Sequence, residues 1–487
     1  MKNRFHEAAY HTIVFGIGGA LRQAVAFFLI PLYTRFLKPD ALGVFAFFLI
    51  VMGLMQIVPN SFTPALFRSY YDCEKEEQRC LVVTSTYSFV LFLAGLLTAI
   101  GLIGSRLFSV WLFSTEGFES LWKIVMWVSF LNSIAAIGMA VLRAKKASWQ
   151  FVLVSFASFL IQMIAVVYLV AFRLTGLDGV LYGYLIGAAV NVIFLMPFVI
   201  RDIGLRVSFL EVRKLFSYGW PFIPTEAMGF VTQSADRIIL ERVASMALVG
   251  IYSLSQKVSS VVSILFIAPF SLIALPVAFS AEQDEKAKEF YARLLTYYFL
   301  VALGIGLAVS MSADSLLRLI SNPDYWHAAN IVPLINLSLI IYGARSMIGI
   351  GLNLQRKTYY FPLAIGIGTA VNFILLALLV PRFYEWGAAW ASVLGALAVC
   401  VVYYLANRTF FPLPYEWLRM AKTLAVATMV YGVSCTLRFS DPLKTLLIQS
   451  VLWLLYPTLL YFSRFFELDE IKYAKRVLKF RLLREPK

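Results

Sequence analysis

The sequence predicts an all-α polytopic membrane protein of about 14 transmembrane helices. The helices are expected to form two parallel-repeat six-helix bundles, plus two C-terminal helices, around a central cleft. Three observations carry this. Of 487 residues, 61% are hydrophobic and only 14% are charged, against about a quarter charged in soluble domains. The apolar residues fall in runs of about 20, the length a helix needs to cross the hydrocarbon core. Finally, short stretches of the first half return in the second half in the same order, at a near-constant offset.

In order along the chain, the predicted spans are 11–32, 42–62, 81–105, 121–142, 151–172, 179–200, 216–235, 248–279, 294–319, 328–352, 361–380, 387–405, 421–437 and 443–462. The first follows a short, weakly basic N-terminus and is too long, without a cleavage site, for a signal peptide. The second closes on Gln56, Pro59, Asn60 and Ser61, with Pro64 beyond. Those prolines free carbonyls and predict a kink, so Pro59, Asn60 and Pro64 are candidate hinge residues. The seventh carries Pro221, Pro224 and Glu226 and reads as a broken helix, with Pro221 and Pro224 as a second hinge. The seventh and thirteenth are the weakest by hydropathy.

Basic residues set the orientation. With the N-terminus inside, the inner segments carry roughly 28 Lys and Arg and the outer loops roughly 11. An even number of spans then returns the C-terminus to the cytoplasm. The formal net charge of +15 lies in short gaps between apolar runs, which favours anionic lipid over nucleic acid. The tail 464–487 alternates Ile471, Leu478 and Leu482 with Lys472, Lys475, Arg476 and Lys479, the pattern of a basic amphipathic helix on a membrane surface. Cys73, Cys80, Cys400 and Cys435 lack metal-ligand spacing. The histidines are scattered, no Walker loop or zinc-protease motif is present, and the loops are too short for a catalytic domain. No catalytic residue, metal site or cofactor is expected.

The repeat pairs Leu42-Gly43-Val44-Phe45-Ala46 with Val249-Gly250-Ile251-Tyr252-Ser253, Gly179 and Gly187 with Gly387 and Gly395, and the loop 143–149 with 354–360. Six spans lie between equivalents, so the repeat keeps its orientation and implies a pseudo-two-fold axis along the membrane normal. The expected organisation is a lobe over 1–207, a second over 208–411, two added helices over 412–463 and the cytoplasmic tail 464–487.

Ionisable residues inside spans are functional candidates because charge in hydrocarbon is costly. Arg22, Lys257 and Arg345 lie within spans one, eight and ten. Three cations facing one cleft would attract an anion, above all a phosphate or diphosphate, which guanidinium groups match in geometry. The competing reading is that each cation locks helices together through a carboxylate or backbone carbonyls. Glu226 is a candidate for carrying a coupling proton or binding Na⁺, or else for a structural ion pair. Asp236 and Arg237 lie at the outer end of span seven, beside Glu241 and Arg242. Asn132, Gln162, Asn191 and Asn372 read as interhelical hydrogen-bonding residues.

The stretch Pro31-Leu32-Tyr33-Thr34-Arg35-Phe36-Leu37-Lys38-Pro39, continuing to Leu42-Gly43-Val44-Phe45, resembles the opening of bacterial polysaccharide (O-antigen type, Wzx-like) flippases. Gly219-Trp220-Pro221-Phe222-Ile223-Pro224, followed by Ser234-Ala235-Asp236-Arg237, is similar to the start of their second half. The resemblance implies membership of the multidrug/oligosaccharidyl-lipid/polysaccharide (MOP) exporter superfamily. It implies flipping of an undecaprenyl-diphosphate-linked oligosaccharide across the bacterial inner membrane, with H⁺ or Na⁺ as the coupling ion. It also implies membrane lipids and a glycan polymerase as partners, a monomeric carrier and no nucleic acid. The alternatives are a lipid II flippase for peptidoglycan, a cation-coupled multidrug exporter, and, from a different class, a membrane glycan polymerase or glycosyltransferase. The last needs a long catalytic outer loop, which the sequence lacks.

Overall fold

The structure is a computed structural model that describes residues 29–113, 117–204, 206–271, 278, 286–355, 357, 359–437, 439 and 441–467. Every regular element among the described residues is helical. The helices are α1 (Ile30–Phe36), α2 (Pro39–Met55), α3 (Ile57–Asp72), α4 (Glu76–Ile103), α5 (Ser105–Phe113) and α6 (Glu119–Ala144). They continue as α7 (Ser148–Val167), α8 (Gly176–Val199), α9 (Phe209–Gly219), α10 (Phe222–Val243), α11 (Met246–Val262) and α12 (Ala287–Ile320). The chain ends with α13 (Val332–Ile348), α14 (Ile350–Leu354), α15 (Tyr360–Phe410), α16 (Trp417–Thr436), α17 (Pro442–Trp453) and α18 (Leu455–Phe462).

Among the described residues, 10 helical segments are long and apolar enough to cross a membrane. The expected span 11–32 lies outside the described residues up to position 28, and so does the tail beyond Glu467. The second span is longer than its apolar run. Pro39–Asp72 is helical over 34 residues, roughly 50 Å of helix, so its aromatic and charged end projects past a core of about 30 Å.

Local chemistry explains the ends. Pro39 opens α2 at a position where its missing N–H costs no bond, and Asp40 sits in the first turn. Ser208 accepts from the Glu211 N–H at 3.4 Å to begin α9, a hydroxyl cap with a glutamate three residues on. Asp441 caps α17 through the Leu443 N–H at 2.9 Å. The end of α1 is capped from far along the chain: Asn322 donates to the Arg35 carbonyl and Tyr325 to that of Leu37, at 3.3 and 3.0 Å.

Spans eleven and twelve run together as the 51-residue α15, broken only at Tyr384, whose φ is +47°. The chain folds back there: Leu379 meets Gly387, Asn372 meets Gly395 and Gly368 meets Val399, an antiparallel hairpin. The hairpin α7–α8 has the same design, with Leu169 against Gly179, Val166 against Gly183 and Gln162 against Gly187. Gln162 and Asn372 thus sit at corresponding places in their hairpins, each against a glycine.

The chain divides into two compact units. One runs through Leu254 and includes Ile320–Tyr325 and Phe373–Ala388; the other comprises Ser255–Leu319, Trp326–Asn372 and Ala389 onward. In the first unit α2 and α11 cross backbone to backbone. A Cβ at Gly43 would overlap the Met246 carbonyl oxygen, and one at Gly250 would overlap that of Pro39. Offset by 207, Pro39 corresponds to Met246 and Gly43 to Gly250. Residue 43 therefore meets the equivalent of 39, and the equivalent of 43 meets 39, the reciprocal pattern of an isologous contact.

In the second unit a charged cluster ties the last helices to α12. Arg419 donates to both Glu416 oxygens at 3.0 Å, Thr296 donates to Glu416 at 2.7 Å, and Arg293 donates to Glu467 at 3.1 Å. The Arg419 guanidinium also lies 4.7 Å from the Phe465 ring centre. Glu416→Gln is expected to lower stability by about 1–3 kcal/mol, because it strips charge from the acceptor of three hydrogen bonds. Thermal unfolding in detergent measures this, and an unchanged midpoint would show the cluster to be ornamental.

Candidate functional site

The second unit carries two of the three intramembrane cations expected to bind an anion. Lys257 is on α11 and Arg345 on α13, both half-buried. Four contacts set the register of these helices. Ser255 donates to the Ala328 carbonyl at 2.8 Å and Ser259 to that of Val332 at 3.5 Å. Farther along, Ile267 packs on Gly343, and the Ser271 and Ser346 hydroxyls are 3.4 Å apart. Both partners rise together, so α11 and α13 run parallel. Lys257 then lies level with the turn before α13, and Arg345 level with Phe270, past the end of α11. Their backbones are separated by roughly 20 Å along the axis. One diphosphate cannot be gripped by both, so the two cations serve different depths. Arg22 lies outside the described residues.

Arg345 is held from its own helix. It donates to the Tyr342 hydroxyl at 2.9 Å, and its guanidinium carbon lies 3.9 Å from the Tyr342 ring centre. No carboxylate pairs with it among the described residues. α13 is itself fixed against α12: Asn336 donates to the Gly306 carbonyl at 3.2 Å and the Ser310 hydroxyl at 2.9 Å, and Tyr298 donates to the Ile340 carbonyl at 2.8 Å. A guanidinium with most of its donors uncommitted, on a helix this well anchored, has the chemistry to receive an anion.

The first unit holds the acidic candidates. Two interrupted helical pairs, α2–α3 and α9–α10, pack antiparallel: Gly53 lies against Phe230, and Gly219 against Phe62. The first break falls at Gln56, where α2 stops and α3 begins. Pro59 stands in the first turn of α3, where a missing N–H costs no helical bond, and Pro64 in its interior, where it removes the donor that would satisfy the Asn60 carbonyl. Ser61 and Thr63 bond back to the Ile57 and Pro59 carbonyls at 2.7 and 2.9 Å, which further bends such a helix. The second break falls at Trp220–Pro221. Pro221 precedes α10 and Pro224 sits in its first turn, where a missing N–H costs no helical bond.

The antiparallel register sets Glu226 level with Gln56. Glu226 is one turn before Phe230 on the face that meets α2, is half-buried, and makes no ion pair among the described residues. The Gln56 side-chain nitrogen is buried without a hydrogen-bond partner. Sequence reasoning names Pro59, Asn60 and Pro64 as the hinge; the interruption between α2 and α3 falls just before them, at Gln56. A glutamine in mid-run, three residues before a proline, is the signal for it. Asp236 accepts from its neighbour's backbone N–H at 2.8 Å and lies 3.9 Å from the Arg237 side chain, while Glu241 and Arg242 approach to 3.6 Å. Outside the spans, burial and the nearby Glu211 push the Cys73 thiol above its ordinary value, which keeps it protonated and unreactive at neutral pH. No group of three or more metal-ligating side chains occurs among the described residues.

Residues 32–333 match the model of a family described as polysaccharide biosynthesis protein. A comparison with curated proteins gives no match. Among solved structures, the chain is similar to the lipid II flippase MurJ in an inward closed conformation. The TM-score is 0.74 at 15% identity, covering 93% of this chain and 99% of that one. It is also similar to an inward-facing multidrug resistance MATE family transporter of the MOP superfamily, with TM-score 0.61, 14% identity and coverage of 80% and 97%. The Vibrio cholerae MATE transporter VcmN gives 0.57 at 14% identity, covering 83% and 97%. At these identities the likeness is one of fold. The family match spans more than half of the 487 residues, and the chain belongs to the polysaccharide biosynthesis protein family, with the fold of the MOP-superfamily transporters.

Proposed function

We propose that the chain flips an undecaprenyl-diphosphate-linked oligosaccharide from the cytoplasmic to the outer leaflet of the bacterial inner membrane. It acts by alternating access, as a monomer with both termini cytoplasmic, and a glycan polymerase consumes the product. The observation that carries this reading is Arg345, an intramembrane guanidinium bonded to Tyr342 and to no described carboxylate. A half-buried cation in want of an anion fits a phosphate, and the planar fork fits it in two-point contact. Lys257, at another depth, serves the attached sugars, since a diphosphate with its glycan covers a length that the diphosphate alone does not. Arg22 is the third cation of the same path. A cationic path is unsuited to cationic drugs, which sets the multidrug reading aside.

Coupling is assigned to Glu226, with H⁺ or Na⁺ as the ion. A half-buried carboxylate beside two helix breaks has freed carbonyls and the Gln56 amide at its own level, the setting in which transporters bind small cations. Asp236 and Arg237, farther along α10, are already engaged with each other.

The test is flipping by the purified chain in proteoliposomes, with undecaprenyl-diphosphate oligosaccharide and lipid II as parallel substrates. Transport of the first and at least tenfold less of the second is expected. Transport of lipid II alone would assign the chain to peptidoglycan synthesis. In the same vesicles Glu226→Gln is expected to abolish acceleration by an imposed H⁺ or Na⁺ gradient while headgroup binding persists. An unaltered gradient response would remove Glu226 from the coupling role.

A further inference from the structure

Four cations at helix ends take no part in this transport path. In the first unit the Arg79 guanidinium lies 5.3 Å from the Tyr70 ring centre, and that of Arg143 lies 5.6 Å from the Phe67 ring centre. Phe67 and Tyr70 are three residues apart on α3 and so are surface neighbours. The two guanidinium groups therefore ride adjacent rings. In the second unit the Lys288 ammonium lies 5.1 Å from the Phe411 ring centre and that of Lys357 lies 5.3 Å from the Phe410 ring centre. Those rings are consecutive, at the end of α15. Each unit thus brings two cations from two different helix ends over rings close together in the sequence.

Several bases at helix ends are neutralised: Lys123 by Glu119, Lys214 by Glu211, Arg318 by Asp314 and Arg419 by Glu416. Arg79, Arg143, Lys288 and Lys357 have no such partner among the described residues. Arg79 gives one N–H to the Cys73 carbonyl at 3.1 Å; Glu76 and Asp202 act on the same Tyr70 ring but form no ion pair with Arg79 among the described residues. Ring faces attract a cation but supply no net charge. The rings therefore leave each cation able to attract an anion that reaches it.

We propose that each pair is a seat for the phosphate of an anionic phospholipid of the surrounding bilayer, one seat per unit. Location and number favour that occupant. Arg79 opens α4, Arg143 closes α6, Lys288 opens α12 and Lys357 precedes α15. All four are where a span leaves the hydrocarbon, at the level of lipid phosphates. The rings beneath them are the amphipathic surface that sits at this boundary. Two seats of like design, one in each unit, fit a ligand that surrounds the protein on every side. A transported molecule present once per cycle has no need of two.

The experiment is native mass spectrometry of the full-length chain released from nanodiscs of phosphatidylglycerol and phosphatidylcholine. Wild type is expected to retain phosphatidylglycerol in preference to phosphatidylcholine. Arg79→Gln with Arg143→Gln should lose about half of that excess, Lys288→Gln with Lys357→Gln the rest, and the quadruple variant all of it. Arg79→Lys with Arg143→Lys keeps the charge and should keep the lipid, which separates lost binding from lost folding. Equal retention by the quadruple variant and wild type would overturn the seats. So would displacement of phosphatidylglycerol by equimolar undecaprenyl diphosphate, which would make them substrate sites. Lipid retention is read without transport, so failure here is distinct from failure of the flippase reading.

Discussion

Gly43→Ala and Gly250→Ala will each destabilise the chain, by about 1–3 kcal/mol. The sign is the informative part. In an open helical position, exchanging glycine for alanine gains about 1 kcal/mol of helix propensity. Gly432 on α16, with nothing within 4 Å of an added Cβ, is such a position, and Gly432→Ala should stabilise or be neutral. At Gly43 the new methyl would run into the Met246 carbonyl and also lie 3.2 Å from the Gly250 nitrogen. At Gly250 it would run into the Pro39 carbonyl and lie 2.9 Å from the Gly43 nitrogen. These neighbours are backbone, so they give way only if α2 and α11 separate, and the clash outweighs the propensity gain. Once one methyl has pushed the helices apart, the second meets a wider gap. The double variant should therefore lose less than the sum of the two single losses. Thermal unfolding of the four proteins in one detergent decides this. Equal or higher midpoints for both single variants would mean the helices do not touch there.

Arg345→Gln is expected to cut flipping by roughly 10- to 100-fold, the equivalent of one charge-assisted hydrogen bond of about 1.5–3 kcal/mol. The folded state should hardly notice. Arg345 donates to the Tyr342 hydroxyl and pairs with no carboxylate among the described residues, so no ion pair is broken and the unfolding midpoint should stay within a few degrees. That combination, activity lost and stability kept, distinguishes a ligand from a structural lock. Arg345→Lys keeps the charge but loses the fork and should recover only part of the activity. Tyr342→Phe keeps the ring and loses the hydroxyl, and is expected to raise the substrate concentration for half-maximal flipping more than it lowers the maximal rate. Flipping at the wild-type rate by Arg345→Gln would exclude the guanidinium from the substrate path.

The helices are legible in the sequence because hydropathy reports what the bilayer enforces. The register between helices is not. Proline runs at 59–64 and 221–224 announce two interrupted helices, but only tertiary contacts reveal that the interruptions pack antiparallel and set Glu226 level with Gln56. Lys257 and Arg345 show the same limit. Each stands out as a charge in an apolar run, and the expectation of one shared cleft ignores where along the axis each lies. The Ser255, Ser259 and Ser271 contacts supply that. Small polar residues carry the register, and in an apolar run they look like filler. The aromatic seats of Arg79, Arg143, Lys288 and Lys357 escape for a related reason. Charges and rings near span ends are common to every membrane protein, and pairing between them is a property of the folded chain alone.

The turn at Tyr384 bears on how the chain is made. With a single residue reversing the direction of α15, the ribosome delivers two apolar helices with no intervening loop to stay behind in water. Leu379 and Gly387 already touch a few residues from the reversal, so the two halves can associate while still at the site of insertion. Arg382 and Glu385, on either side of the turn, then cross the hydrocarbon at the leading tip as opposite charges that sum to zero. A hairpin this tight can enter the bilayer as one unit, and a charge reversal at either residue would put two like charges at its tip.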